Sequence, residues 1–284
     1  FRGDFGEALR WLKRIFHEGK PDKRLPQEAI GHLNVARLNL YLGEFETTEN
    51  HLERSLELCQ LFNLKSLLPE IFESYANLYR EKNDLTHAAE FYERALNAYD
   101  DAGIDLATRE INEERAKFYL ARGDTAKARG LLEKLIDTRH KSENELTLNS
   151  ARLCLYRVDL SEGKTEGLRE KVGIVLDYFN QRNHYYDEAQ AAMLLAEILY
   201  SKGDVKGTVD PIQRVLDLSA RFDYEFWLKT EIRRNRGIFE YEDIREKLPP
   251  DMRQELSAES AAIPVSSAED SSSAELITDL TVKV

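Results

Sequence analysis

The chain has 284 residues, of which 42% are hydrophobic and 32% are charged, and its formal net charge is −12. This length and apolar content suffice for one large folded domain or two small ones, whereas the negative charge argues against binding nucleic acid or anionic membranes through charge alone. Two cysteines form no disulfide framework and suit a reducing, cytoplasmic setting, and no apolar run is long enough to span a membrane.

Turn residues recur every 40 residues along the chain. They are Gly3, Gly43, Asn83, Gly123, Gly163 and Gly203. Glycine and asparagine tolerate the left-handed backbone that closes a helix, and the acid that usually follows them favours the start of the next helix. The pattern predicts a helix–turn–helix corner at each position. The two Arg-Gly-Asp tripeptides, at Arg2 and Arg122, are therefore interpreted as two of these corners rather than as adhesion motifs.

The elements between the corners are predicted in pairs. The chain opens on a second helix, residues 4–17, so we expect a piece cut from a longer protein with a truncated first repeat. Small residues recur on the first helix of each later pair, except where Tyr156 interrupts them: Ala36, Ala76, Ala116 and Ala196. Large residues recur on the second helix, in two sets at i and i+4. The first set is Leu12, Leu52, Tyr92, Leu132, Val172 and Ile212, and the second is Phe16, Leu56, Leu96, Ile136, Leu176 and Leu216.

Each predicted hairpin has an apolar face that only a neighbouring hairpin can bury. The sequence therefore predicts an all-α, right-handed superhelix of about six hairpins with a 40-residue period over residues 1–248. A flexible linker rich in Ser, Ala and Glu is predicted for residues 249–279. Residues 280–284 alternate in polarity and are predicted to be the first strand of a truncated downstream domain; a disordered tail is the alternative.

One hairpin carries a recognisable spacing. Phe72, Tyr75, Ala76 and Tyr79 stand before Asn83, and Ala88, Tyr92 and Ala95 follow it. These residues resemble the tetratricopeptide repeat (TPR), whose usual period is about 34 residues. The longer helix pairs, over roughly residues 1–240, resemble the superhelical sensor region of MalT-type bacterial transcription regulators. That resemblance implies a cytoplasmic sensor or scaffold between an upstream ATPase module and a downstream winged helix, with DNA contacted only through that absent domain.

Reactive groups do not converge in the sequence. The six histidines form no ligand cluster, and Cys59 and Cys154 lie in apolar runs. Neither a phosphate-binding P-loop nor a nucleophile elbow is present. We therefore predict no enzymatic activity, no cofactor and no metal.

A concave groove is the predicted binding site. In tetratricopeptide repeats the residue five positions after the first signature aromatic often faces the groove, and here that residue is Asn77. The groove residues follow from the 40-residue register. They are Arg37, Asn77, Lys117, Arg157 and Glu197, with Glu73, Glu113 and Met193 one turn earlier and Arg80 and Tyr200 one turn later. The row from Arg37 to Arg157 would offer cationic and amide donors to a carboxylate, a phosphate or an acidic peptide. The alternative is that these cations pair with Glu73 and Glu113.

Three functions remain open from the sequence. The groove could bind a small effector or a partner protein as part of a transcription regulator. It could instead serve a general protein-interaction scaffold, such as a chaperone-associated or assembly factor, or a peptide-pheromone receptor. No membrane partner is expected, and the oligomeric state is left open.

Overall fold

The computed structural model describes residues 3–18, 25–103, 105–139 and 145–257. Within these ranges the chain contains fifteen α-helices and no strand, so the predicted all-α class is confirmed. Helices α1 to α11 span Phe5–Glu18, Leu25–Tyr41, Phe45–Leu61, Leu68–Glu81, Leu85–Asp101, Asp105–Ala121, Thr125–Arg139, Glu145–Ser161, Leu168–Arg182, Tyr185–Ser201 and Val209–Phe222. Helices α12 to α15 span Glu225–Arg234, Arg236–Phe239, Glu242–Arg245 and Pro250–Ser257.

The helices are arranged as a row of hairpins in two layers. α2 packs on α3, and the same pairing recurs in α4 with α5, α6 with α7, α8 with α9 and α10 with α11. The first helix of each hairpin also contacts the first helix of the next one, from α2 through α10. Helices that approach their own equivalents in this way form the inner, concave layer of a superhelix. The second helices form the outer layer.

The predicted corners have the expected left-handed backbone. Positive φ angles of 61° to 96° occur at Gly3, Gly43, Asn83, Gly123, Gly163 and Gly203. At a typical corner the amide of Asp124 donates to the carbonyl of Tyr119, which satisfies a free carbonyl at the end of α6. The Asp124 carboxylate then accepts the amide of Lys127 and caps α7. The second Arg-Gly-Asp tripeptide is therefore explained as the corner between α6 and α7.

A second series of corners was not predicted. Positive φ angles of 53° to 65° also occur at Asn63, Gly103, Asn183 and Asp223. These residues lie between the second helix of one hairpin and the first helix of the next, again in a 40-residue register. Their residue types vary, so they stand out less in the sequence than the row of glycines.

The C-terminal segment corrects the predicted linker. α15 begins at Pro250, and its Met252 and Leu256 are buried against α12, whose Arg233 pairs with Glu255 at 2.8 Å. The predicted linker start at residue 249 is therefore wrong, because the two apolar side chains one helical turn apart give this segment something to bury. The rest of the predicted linker and the predicted strand, beyond residue 257, lie outside the described residues. The side chain of Phe16 is likewise outside the described part of the chain.

The superhelix closes on itself. The hydroxyl of Tyr224 on the C-terminal side donates to the backbone carbonyl of Gly3 at 2.6 Å. The ring of Phe5 stacks on Tyr41 with 4.4 Å between centroids and meets Tyr186 of α10 at 5.1 Å. The sequence predicted a curved array in which each hairpin meets its neighbours. The contact between the first and last hairpins adds a half-open cavity to that array.

Candidate functional site: the inner surface

Polar contacts link the inner helices of the first hairpins, α2, α4 and α6, to one another. Arg37 of α2 donates to Glu70 at 3.0 Å and to the hydroxyl of Ser74 at 3.1 Å, both on α4. Arg80 of α4 donates to the carboxylate of Glu114 on α6 at 2.8 Å. Each cation therefore reaches forward to the next repeat rather than pointing freely into the groove.

The same ladder continues through the later hairpins. Ser150 of α8 donates to Glu113 of α6 at 2.7 Å. Arg157 of α8 lies 3.4 Å from Glu197 of α10, and Glu197 also accepts from the amide of Asn235 at 3.3 Å. The inner surface is thus joined from α2 to the C-terminal helices by alternating donors and acceptors.

Glu114 is the centre of this ladder, and the sequence did not single it out. Its two carboxylate oxygens accept from Arg80 and from Lys117, the latter at 2.6 Å. Burial alone would raise the pKa of Glu114, but the charges of Lys117 and Arg80 bring that pKa down to about 2. The Asn77 side chain completes the cluster by accepting from the hydroxyl of Tyr92 at 2.6 Å.

Other inner carboxyl groups are less well compensated. Burial raises the pKa of Glu73 to about 7 although Arg37 opposes the shift, and Tyr99 donates to this carboxyl at 2.9 Å. Burial, with a contribution from Glu113, raises the pKa of Asp187 to about 6. Burial also raises the pKa of Glu197 against the opposing charge of Arg157. At these three carboxyl groups, desolvation by burial therefore outweighs the stabilisation that the neighbouring cations give to the charged form.

Most of the predicted groove residues meet in this ladder. Arg37, Asn77, Lys117, Arg157, Glu197, Glu73, Glu113 and Arg80 all take part in its contacts or its charge balance. The cations of the ladder are paired with carboxylates. The sequence offered this pairing as the alternative to a free row of cations, and it holds for Lys117 and Glu113, whose Nζ and Oε1 atoms lie 3.2 Å apart. Arg37 pairs with Glu70 rather than with Glu73. The role of these residues in binding stays a prediction.

Met193 does not line the groove. Its side chain is fully buried in the core that α10 shares with α11 and the C-terminal helices, so its predicted place is wrong. Leu33 and Leu153, at the equivalent positions, are buried as well. At these three positions an apolar side chain packs into the interior, whereas Glu73 and Glu113 at the equivalent positions take part in the ladder. Tyr200 lies at the far end of α10 and is 40% exposed, with its hydroxyl close to Gly237 of α13.

A cavity of about 310 Å³ lies where the superhelix closes. Its lining is Gly3, Phe5, Asn34, Arg37, Leu38, Tyr41, Tyr186 and Asp187. Only Arg37 among these was predicted from the sequence. The opposite wall comes from the N-terminal turn of α10, so finding it required knowing that the last hairpins return to the first.

A histidine pair lies away from this cavity, between α2 and α3. The Nδ1 atoms of His32 and His51 are 2.7 Å apart, which fits a hydrogen bond between two neutral rings. Burial and the charge of His51 lower the pKa of His32 to about 4. In the described part of the chain no group of three or more His, Cys, Asp or Glu side chains could hold a metal ion. Nor is any helix there long and apolar enough to cross a membrane.

Comparison with known proteins concerns the fold. No family model matches the chain, and neither does any curated protein. The crystal structure of BtubC (BKLC) from P. vanneervenii is similar, with 19% identity, a TM-score of 0.52 and coverage of 78% of this chain and 91% of that one. The fold is a TPR-like helical repeat. This confirms the predicted architecture and carries no information about partners.

Two further solved structures are more distant. One is a kinesin light chain protein of Podosopora anserina with nearly identical TPR-like repeats, at 17% identity, a TM-score of 0.46 and coverage of 71% and 98% of the two chains. The other is the TPR2AB domain of yeast Sti1 in complex with pHSP90, at 12% identity, a TM-score of 0.29 and coverage of 89% and 92%. These TM-scores are too low to support an inference, and the resemblance to MalT-type regulators stays a prediction.

Proposed function

We propose that this chain is a non-catalytic binding scaffold whose inner surface holds a segment of a partner protein or peptide. The observation that carries the proposal is the concave inner surface, which ends in a cavity of about 310 Å³ where the superhelix closes. Arg37, Tyr41 and Asp187 line this cavity, and Tyr41 is still 44% exposed. Helical-repeat proteins use such concave surfaces for binding.

The two cysteine thiols are poor candidates for catalysis. Burial raises the pKa of the Cys59 thiol to about 11 and that of the Cys154 thiol to about 12. Both thiols are therefore protonated at neutral pH and are poor nucleophiles. The inner cations are held in pairs with carboxylates, which gives a patterned polar surface suited to binding.

A more specific role is that of the sensor region of a MalT-type transcription regulator, which would bind a small effector. This role rests on the sequence resemblance and the 40-residue period. It requires that the gene encode an ATPase module before this segment and a DNA-binding domain after it. A phosphate-binding motif upstream and a helix-turn-helix pattern downstream in the same reading frame would support it. Stop codons close to both ends of this segment would leave only the scaffold.

The scaffold function can be tested with two matched arginine variants. Arg37 pairs with Glu70 at 3.0 Å on the inner surface, and Arg54 pairs with Glu57 at 2.9 Å on the outer helix of the same hairpin. Peptides are first selected from a displayed random library against the whole chain, and their affinities are measured by fluorescence anisotropy. We expect Arg37→Ala to change the affinity of the selected peptides on the order of tenfold, and Arg54→Ala to leave it unchanged. Equal effects of the two variants would place the peptide site elsewhere.

A further inference from the structure

We propose that the cavity beside Tyr41 binds a cationic side chain, the guanidinium of arginine or the ammonium of lysine, presented by the partner. This inference rests on the proposed scaffold function and specifies the chemistry of its ligand. It is the opposite of the acidic ligand that the row of cations in the sequence suggested.

Three aromatic residues, Phe5, Tyr41 and Tyr186, form one wall of the cavity. Phe5 stacks on one face of Tyr41 at 4.4 Å with an angle of 9° between the ring planes, and Tyr186 meets Tyr41 edge-on at 5.3 Å. Tyr41 lines the cavity and is still 44% exposed, so the residue remains accessible from the inner space. A cation placed over the face of an aromatic ring is attracted by the ring quadrupole, more strongly where water is excluded.

The charges around the cavity favour a cation over an anion. Asp187 and Arg37 are the two charged residues that line the cavity. The charge of Arg37 is already compensated by Glu70 at 3.0 Å, and its Nε donates to Ser74. Burial, with the nearby charge of Glu113, disfavours the charged form of Asp187 and raises its pKa, and a cation bound beside this carboxyl would offset both effects.

The more distant cations do not reverse this balance. Lys117 pairs with Glu113 at 3.2 Å and with Glu114 at 2.6 Å, and Arg80 pairs with Glu114 at 2.8 Å and with Glu81 at 3.0 Å.

The cavity of about 310 Å³ is at the small end of ligand pockets, which run from about 300 to 1,000 Å³. It suits one side chain of a partner rather than a whole folded element.

The test uses the whole chain and three short labelled peptides that differ only at a central residue, which is arginine, its neutral analogue citrulline, or glutamate. We expect the arginine peptide to bind on the order of tenfold more tightly than the citrulline peptide in anisotropy measurements at neutral pH and low salt. Asp187→Asn should remove this preference, and Asp124→Asn at an exposed corner should not. Tyr41→Phe keeps the ring face and should retain binding, whereas Tyr41→Leu should lose it.

Thermal unfolding of each variant separates loss of binding from loss of the fold. Equal affinity for arginine and citrulline, no binding of the arginine peptide, or an Asp187→Asn variant that still prefers arginine would each overturn the cation proposal. Preference for the glutamate peptide, abolished by Arg37→Ala, would overturn it as well but keep the scaffold function. Failure of these probes together with failure to select any peptide on the inner surface would end both.

Discussion

The corners at Gly43 and Gly123 have the same backbone and different surroundings. Both glycines have a φ of +78°, and both are followed by an acid and a second helix. A β-carbon added at Gly123 would meet nothing within 4 Å, whereas one added at Gly43 would lie 2.5 Å from the ring of Phe226 on α12. The local sequence thus specifies the turn equally in both places. The closure of the superhelix alone makes one corner a contact surface and leaves the other in solvent.

The largest effect is expected at the ring that fills this closure. Phe5 is 5% exposed and contacts Tyr41, Tyr186 and Tyr224, so Phe5→Ala should lower the free energy of unfolding by about 3–5 kcal/mol. The first and last hairpins should also separate, which small-angle scattering would detect as a larger radius of gyration. Phe179→Ala is the control, since Phe179 is also buried, at 0% exposed, but lies inside the array. It should cost similar stability without expansion, and the same expansion in both variants would contradict closure by Phe5.

The two corners themselves give the next comparison. Gly43→Ala and Gly123→Ala impose the same strain of a positive φ, so their difference isolates the clash with Phe226. We expect Gly43→Ala to be about 1–3 kcal/mol less stable than Gly123→Ala, as for overpacking elsewhere. Urea unfolding midpoints measure the difference. Equal losses would mean that α12 does not rest on the Gly43 corner.

The part of the fold that the sequence predicted is the part that repeats. The row of corner glycines predicted the left-handed turns, and the alanines one hairpin apart, such as Ala36 and Ala76, predicted the buried helix contacts. The closing contact between Tyr224 and Gly3 was not predictable in this way, because it depends on small rotations added up over all the hairpins.

The candidate site, too, contains residues that the repeat pattern predicted and contacts that it did not. The register of the repeat placed Arg37 and Lys117 on the inner surface, because equivalent positions share a helix face. It did not show that Glu114 would hold two cations at once, nor that Asp187 would face α2 across the closure. Those contacts join residues of different repeats, and no pattern within one repeat encodes them.

A pH experiment compares an acid at the closure with an acid at an open corner. The pKa of Asp187 is about 6 in the folded chain, whereas an aspartate in an unfolded chain has its ordinary pKa of 3.8, so the folded state binds more protons between these values. Stability from this group is therefore lost as the pH rises through that window. Relative to the wild type, Asp187→Asn should gain on the order of 1–2 kcal/mol between about pH 4 and about pH 7.

Asp124 supplies the opposite sign. Hydrogen bonds from Lys127 lower the pKa of Asp124, so its contribution is present above its unfolded pKa and is lost as the pH falls. Asp124→Asn should therefore be less stable than the wild type near neutral pH, with the deficit shrinking in acid. Urea unfolding at the two pH values measures both variants. A change of the same sign in the two would contradict the enclosure of Asp187.

The smallest effect is expected from a single hydroxyl. Tyr224 donates to the carbonyl of Gly3 at 2.6 Å, and Tyr92 donates to Asn77 at the same distance inside the array. Tyr224→Phe and Tyr92→Phe should each cost about 0.5–1.5 kcal/mol. Only Tyr224→Phe should speed amide hydrogen exchange in α1, because only that bond joins α1's corner to the far end of the chain. If α1 exchanges alike in both variants, the aromatic rings close the superhelix without help from this hydrogen bond, and the Phe5→Ala experiment becomes the sole measure of what closure contributes.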